Sequence, residues 1–256
     1  MESLSQRITE LNPLTKLMAV FVLGIITLVF PKPWLGFAIL LFLLIISVVT
    51  HLFRPFSKLV FGFGIPLTIM LVFIQGVYSP KNTKSLMDLG IVEIGVEGTQ
   101  YALNLVATLL VFMGAFFLMN QTTKTAKLVA ALTASGLNPK AGYLVLASLN
   151  VVPQMNRRMK TIKEAQESRG VETGGNVIQR VRSFIPLIGP VVLSSFTDAQ
   201  ERGMTLETRG FGIKGVSPTS LTRVNTTKID LVVRGLLLVL LISVLSISMF
   251  ERLSVH

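Results

Sequence analysis

The sequence predicts an all-α polytopic membrane protein with about five transmembrane helices and a helical domain between the fourth and fifth. Three observations predict it. Of 256 residues, 51% are hydrophobic and 14% charged, where soluble domains carry roughly a quarter charged residues; the mean hydropathy is +0.67. Several uncharged stretches approach the roughly 20 residues needed to cross about 30 Å of hydrocarbon. The net charge of +11 can be gathered on one face of such a topology.

In chain order, the first sixteen residues are mixed polar and run directly into a spanning segment, so no cleavable signal is expected. Residues 17–30 form a short span that needs Lys16 and Lys32 to snorkel at its ends. Residues 33–53, 59–80 and 98–123 each hold a full-length span free of Asp, Glu, Lys and Arg in its apolar part. Residues 235–250 form the last span, extended inward by 231–233 and interrupted by Arg234. With the N-terminus inside, four crossings by residue 123 and 124–230 kept inside, 20 of the 24 Lys and Arg and 9 of the 13 Asp and Glu fall on the inner face. That is the positive-inside arrangement. The apolar runs 141–152 and 184–196 could be read as further spans, but crossing there would carry Arg157, Arg158, Lys160, Lys163, Arg169, Arg180 and Arg182 outside. The expected division is therefore 1–123, a membrane domain of four spans; 124–230, a cytoplasmic domain with two long helices; and 231–256, the final span and tail.

The inner domain reads as three helices. Residues 125–135 make a short one, stopped by Gly136 with Pro139 beyond. The second runs from about Lys140 through Arg169, with a kink expected at Pro153; it is apolar at first, then basic with Met155, Met159 and Ile162 on one face. The third begins near Val181, accommodates Pro186 and Pro190, and turns polar from Asp198 toward Arg209.

Each long helix ends in the same string. Glu167, Ser168, Arg169 and Gly170 recur forty residues later as Glu207, Thr208, Arg209 and Gly210. A cation in the last turn followed by Gly is ordinary helix capping when it occurs once. Two copies on one aqueous face, each arginine flanked by small residues, favour function, because a guanidinium fork grips carboxylates bidentately and small neighbours let it enter a cleft. A fainter echo, 165–167 recurring at 199–201, offers Arg202 as a rival second arginine; Glu-x-Arg-Gly selects Arg209.

The order of elements and the two small-Arg-small motifs resemble the transmembrane T component of energy-coupling factor transporters, importers of bacteria and archaea. The resemblance covers most of the chain. Phe211 matches the aromatic residue that usually follows the second motif, and residues 150–154 with Pro153, together with the Pro186 and Pro190 pair, resemble the family's proline-bearing coupling helices. Asn12, Pro13, Leu14, Thr15 and Lys16 look like the family's Asp-Pro-Arg-x-Lys string ahead of the first span, departing from it at Asn12 and Leu14; a proline turn and a snorkelling lysine are the expectation there. The resemblance implies a non-catalytic coupling subunit in a cell membrane, with two ABC-type ATPases and one small membrane-embedded substrate-binding subunit as partners. ATP and magnesium would be bound by the ATPases, not by this chain. Arg169 would engage one ATPase and Arg209 the other, with Ser168, Gly170, Thr208 and Gly210 giving clearance. Leu144, Leu146, Val152, Pro153, Pro186 and Pro190 would meet the substrate-binding subunit. The cargo would be a vitamin, a vitamin precursor or a metal ion.

Absences in the chain agree. No Gly-x-x-x-x-Gly-Lys-Ser/Thr string is present to cradle nucleotide phosphates. The apolar cores of the spans carry no Asp or Glu, a poor fit to an ion-coupled carrier. With no Cys and only His51 and His256, no thiolate or histidine metal site is expected, and Asp198, Glu201 and Glu207 read as a solvated face. The alternatives are a membrane enzyme acting on anionic lipid, for which no nucleophile or metal-ligand set stands out, and an autonomous channel or secondary carrier without ATPase partners. Nucleic acid is not an expected partner, since positive-inside topology already accounts for the basicity.

Overall fold

The computed structural model describes residues 2–79, 85–88, 93–170, 176–213 and 224–254. In order these form α1 (Glu2–Glu10), α2 (Pro13–Val29), α3 (Pro33–Val49), α4 (Phe53–Tyr78), β1 (Ser85–Asp88), β2 (Glu93–Gly95), α5 (Val96–Thr122), α6 (Thr125–Ala134), α7 (Pro139–Ser168), α8 (Val177–Thr208) and α9 (Lys228–Ser254). Among the described residues the fold is all-α apart from one antiparallel pair of strands, in which Ser85, Met87 and Asp88 pair with Gly95, Ile94 and Glu93. The chain divides into two compact units, Met1–Ala131 with Val224–His256, and Leu132–Arg223.

The first unit is built around α5, which packs against α2, α3 and α4. Its buried residues fall in two adjacent rows: Gly98, Ala102, Val106, Leu110, Gly114 and Leu118, then Ala107, Val111, Ala115 and Met119. Residues four apart share a helix face, so two such rows bury a wide arc rather than a single stripe. Small residues let the neighbouring backbones close in. A Cβ placed on Gly36 would lie 2.6 Å from the Ala107 Cβ, and one on Gly24 would lie 2.6 Å from the Phe112 ring. Phe56, Val60, Leu43 and Val20 complete the core around Val111 and Ala115. The outer faces carry large exposed apolar side chains such as Leu28, Trp34, Ile69 and Leu236, as surfaces in contact with lipid do.

Among the described residues three helices, α4, α5 and Lys228–Phe250 of α9, are long and apolar enough to cross a membrane; α2 and α3, at 17 residues each, are shorter apolar helices. Seventeen residues rise about 26 Å, the lower end of what spans hydrocarbon. The second apolar stretch is shorter than the expected 33–53 because α3 stops at Val49 and the chain reverses through Thr50 and His51. His51 takes a left-handed φ of 59°, and its N–H donates to Val48 O. Residues 54–58, which fall between the expected spans 33–53 and 59–80, are in the first turns of α4.

Lys16 does not snorkel. It is 9% exposed, and its ammonium donates to Thr9 O, Thr122 O and Thr122 Oγ1 at 3.0, 3.0 and 3.1 Å. Three N–H donors meet three oxygens, which is how a buried lysine is tolerated. Arg234 donates from Nε to Thr15 Oγ1 at 2.8 Å, and Asp230, completely buried, accepts the backbone N–H groups of Asn12 and Thr227. This polar knot ties the start of α2, the end of α5 and the start of α9.

In the second unit α7 and α8 pack on each other. Both run through proline: α7 is continuous across Pro153, and α8 across positions 186 and 190, starting at Val177 rather than near Val181.

Candidate functional site

Arg169 and Arg209 occupy equivalent positions at the ends of the two long helices. Arg169 is the C-cap of α7, and Gly170 follows with φ 85°. Arg209 follows Thr208, the last residue of α8, and Gly210 has φ 76°. The left-handed conformation stops each helix and is open to glycine at no steric cost. Gly170 N–H donates to Glu167 O at 3.0 Å, and Gly210 N–H to Glu207 O at 2.9 Å. The second end also closes with Phe211 N–H on Leu206 O at 2.9 Å, completing the pair of bonds of a Schellman motif.

The flanking hydroxyls are engaged by their own helices. Ser168 Oγ donates to Glu164 O and Thr208 Oγ1 to Thr205 O, each at 3.0 Å. Both arginines are exposed, and neither guanidinium has a hydrogen-bond or ion-pair partner among the described residues. Arg202 is different: it is half-buried and donates to Gln154 Oε1 across the helix pair. Capping geometry and an available guanidinium therefore coexist at each end.

Contacts between the helices run antiparallel. Tyr143 meets Phe211, with ring centroids 5.1 Å apart. Further along, Gln154 meets Arg202, Arg158 bonds Ser194 O and pairs with the Asp198 carboxylate, and Met155 Sδ accepts from Ser195 Oγ. Asp198 is thus an ion-pair partner, not part of a solvated carboxylate face. Arg209 lies two residues from Phe211, at the Tyr143 end of α7; Arg169 is the residue that caps the other end. Some 26 residues of helix separate Tyr143 from Arg169, roughly 39 Å at 1.5 Å per residue. The pair is a rod with one arginine at each extremity.

Of the remaining expected contact residues, Leu144 and Val152 are 66% and 62% exposed, Leu146 is half-buried, and Pro153 and Pro190 are exposed. The side chain of Pro186 lies outside the described residues. No group of three or more His, Asp or Glu able to hold a metal is present among the described residues.

Residues 5–221 match the CbiQ family, described as cobalt transport protein. The chain belongs to the CbiQ family. Among curated relatives, it is 26% identical to the energy-coupling factor transporter transmembrane protein EcfT of Ruminiclostridium cellulolyticum over 241 residues, 89% of this chain and 88% of the relative. Proteins of the same description from Listeria innocua and Streptococcus equi subsp. equi are 27% identical over 227 residues, covering 84% of each chain, and 30% identical over 145 residues, covering 53% and 54%. Family membership and the apolar helices make this a transmembrane transport protein. The CbiQ match begins in α1, before the Asn12 string, and takes in both arginine-capped helices.

One feature of this CbiQ-family chain was missed by sequence reasoning: Asp230. Its signal was present as Thr227-x-x-Asp230 ahead of an apolar run, the capping-box pattern.

Proposed function

We infer that the chain is the coupling subunit of an energy-coupling factor importer, which relays the motion of two ABC-type ATPases to a small membrane-embedded substrate-binding subunit. The observation that carries this reading is the rod: two exposed arginines, each followed by a left-handed glycine, at opposite ends of one antiparallel helix pair. Two equivalent cations tens of ångströms apart suit two equivalent sockets, one on each ATPase. Arg202 is tied to Gln154, which favours Arg209 as the second of the pair.

In this reading Arg169 and Arg209 each enter a cleft and form charge-assisted, bidentate bonds. The glycines and hydroxyl residues beside them leave room to do so. Leu144, Val152, Pro153 and Pro190 offer apolar surface to the substrate-binding subunit, with Leu146 and Pro186 beside them in the helices. The N-terminus and the helix pair lie in the cytoplasm, on the basic face. The cargo is a vitamin, a vitamin precursor or a metal ion, selected by the substrate-binding subunit. ATP and magnesium belong to the ATPases.

The test is affinity purification of the tagged chain from its native membranes in mild detergent. Two P-loop ATPases and a small hydrophobic protein should accompany it. A chain that emerges alone, and that no added ATPase binds, would return the Arg-Gly ends to helix capping.

A further inference from the structure

The forty-residue offset that carries 167–170 onto 207–210 also carries Arg158 onto Asp198. In an antiparallel pair related by such an offset, only one level sets each helix against its own counterpart. That level is here the Arg158–Asp198 pair. Identical residues would confront one another there; an arginine on one helix and an aspartate on the other attract instead. One turn away on each helix lies a second rung, Arg202 donating to Gln154.

Two rungs one turn apart define a register. Sliding the helices by one turn in one direction sets Arg158 against Arg202, two cations. Sliding the other way sets Asp198 against Gln154 and Arg202 against Asn150, which dissolves the ion pair. The half-buried methionines alongside, Met155 and Met159, discriminate poorly between registers because their side chains adapt. The Arg158 and Asp198 side chains are each 26% exposed, so the pair is partly shielded from water. Fixing register is the best-attested use of polar groups in such a helix contact.

We propose that Arg158, Asp198, Gln154 and Arg202 lock the register of α7 on α8 and so set the distance between Arg169 and Arg209. They are positioning residues: none of them is among the groups offered to a partner. A one-turn slip would shift one arginine relative to the other by about 5.4 Å, enough to withdraw a guanidinium from a cleft. This proposal rests on the coupling reading for its consequence, not for the register itself.

The chain has no cysteine, so a thiol pair introduced at Met155 and Ser195, whose side chains meet across the helices, reports register in isolated membranes through its rate of disulfide formation under an added copper-phenanthroline oxidant. In a Met155→Cys, Ser195→Cys background, Arg158→Asp alone and Asp198→Arg alone should each slow disulfide formation about tenfold, since each puts like charges face to face. The two reversals together should restore it to within about threefold and restore uptake in parallel, the ATPases co-purifying throughout. Recovery in the exchanged pair excludes simple unfolding. Unchanged disulfide formation in the single reversals would overturn the lock, as would slow formation in the exchanged pair. Disulfide loss with intact uptake would overturn the positioning role. Failure of the coupling reading would show separately, as uptake unaffected by loss of Arg169 and Arg209.

Discussion

The backbone N–H of Asn12 donates to the carboxylate of Asp230 at 2.8 Å, joining residues 218 apart in sequence. The two residues belong to two helix starts. Asn12 caps α2, accepting Leu14 N–H on its own side chain at 3.0 Å, while Asp230 accepts Thr227 N–H at 2.9 Å, the reach-back half of a capping box. One buried carboxylate thus serves both starts, at the point where the chain returns to the membrane unit.

Asp230→Ala should destabilise that unit by about 3 kcal/mol, because it leaves two backbone N–H groups unpaired, at least one of them buried. Thermal unfolding in detergent, followed by tryptophan fluorescence or by loss of monodispersity, reads the shift. Asp230→Asn keeps one acceptor and should fall between. An unchanged midpoint for the alanine variant would mean that other groups hold α2 and α9 together.

Gly36→Ala should cost about 1 to 3 kcal/mol, as overpacking does, because its methyl would meet the Ala107 Cβ at 2.6 Å. Ala107→Gly in the same chain should return part of that loss. Gly62→Ala is the control, since nothing lies within 4 Å of its Cβ position; relative midpoints in one detergent decide the comparison.

Arg209→Lys should impair uptake although the charge is kept, because an ammonium cannot reproduce the planar fork of a guanidinium. Uptake of the native cargo by cells carrying each variant is the measurement. Full activity would show that charge alone suffices at this end.

In the proposed orientation, with the basic face inside, cysteines introduced at Lys84 and Lys163 should react with an impermeant thiol reagent from opposite sides of the membrane. Lys84 lies outside the described residues, so its side rests on the order of spans. Labelling from one side would break the five-span topology.

The helix pair shows what can and cannot be read from a sequence. Helices α4 and α5 and the body of α9 were legible because lipid imposes one rule, an uncharged run of sufficient length. The ends of α7 were legible to within a residue because Pro139 and Gly170 mark local geometry. Lys16 was misread because its three acceptors come from α1 and from Thr122, 106 residues away, and hydropathy carries no trace of such partners. Asp198 was taken for a solvated group for the same reason, since its partner Arg158 is forty residues upstream. The β1–β2 pair was not announced because strands of four and three residues are too short to show an alternating pattern. Arg169 and Arg209 stood out through repetition, a signal independent of burial.

The most direct test of the coupling account is the variant Arg169→Ala with Arg209→Ala, assayed for cargo uptake and ATP hydrolysis in membranes where its abundance equals that of the native chain. Emptying two clefts of charge should cost roughly 2 to 5 kcal/mol at each. Uptake should be lost, with the ATPases either dissociated or hydrolysing ATP without transport. Uptake at the native rate, coupled to hydrolysis as before, would contradict the account.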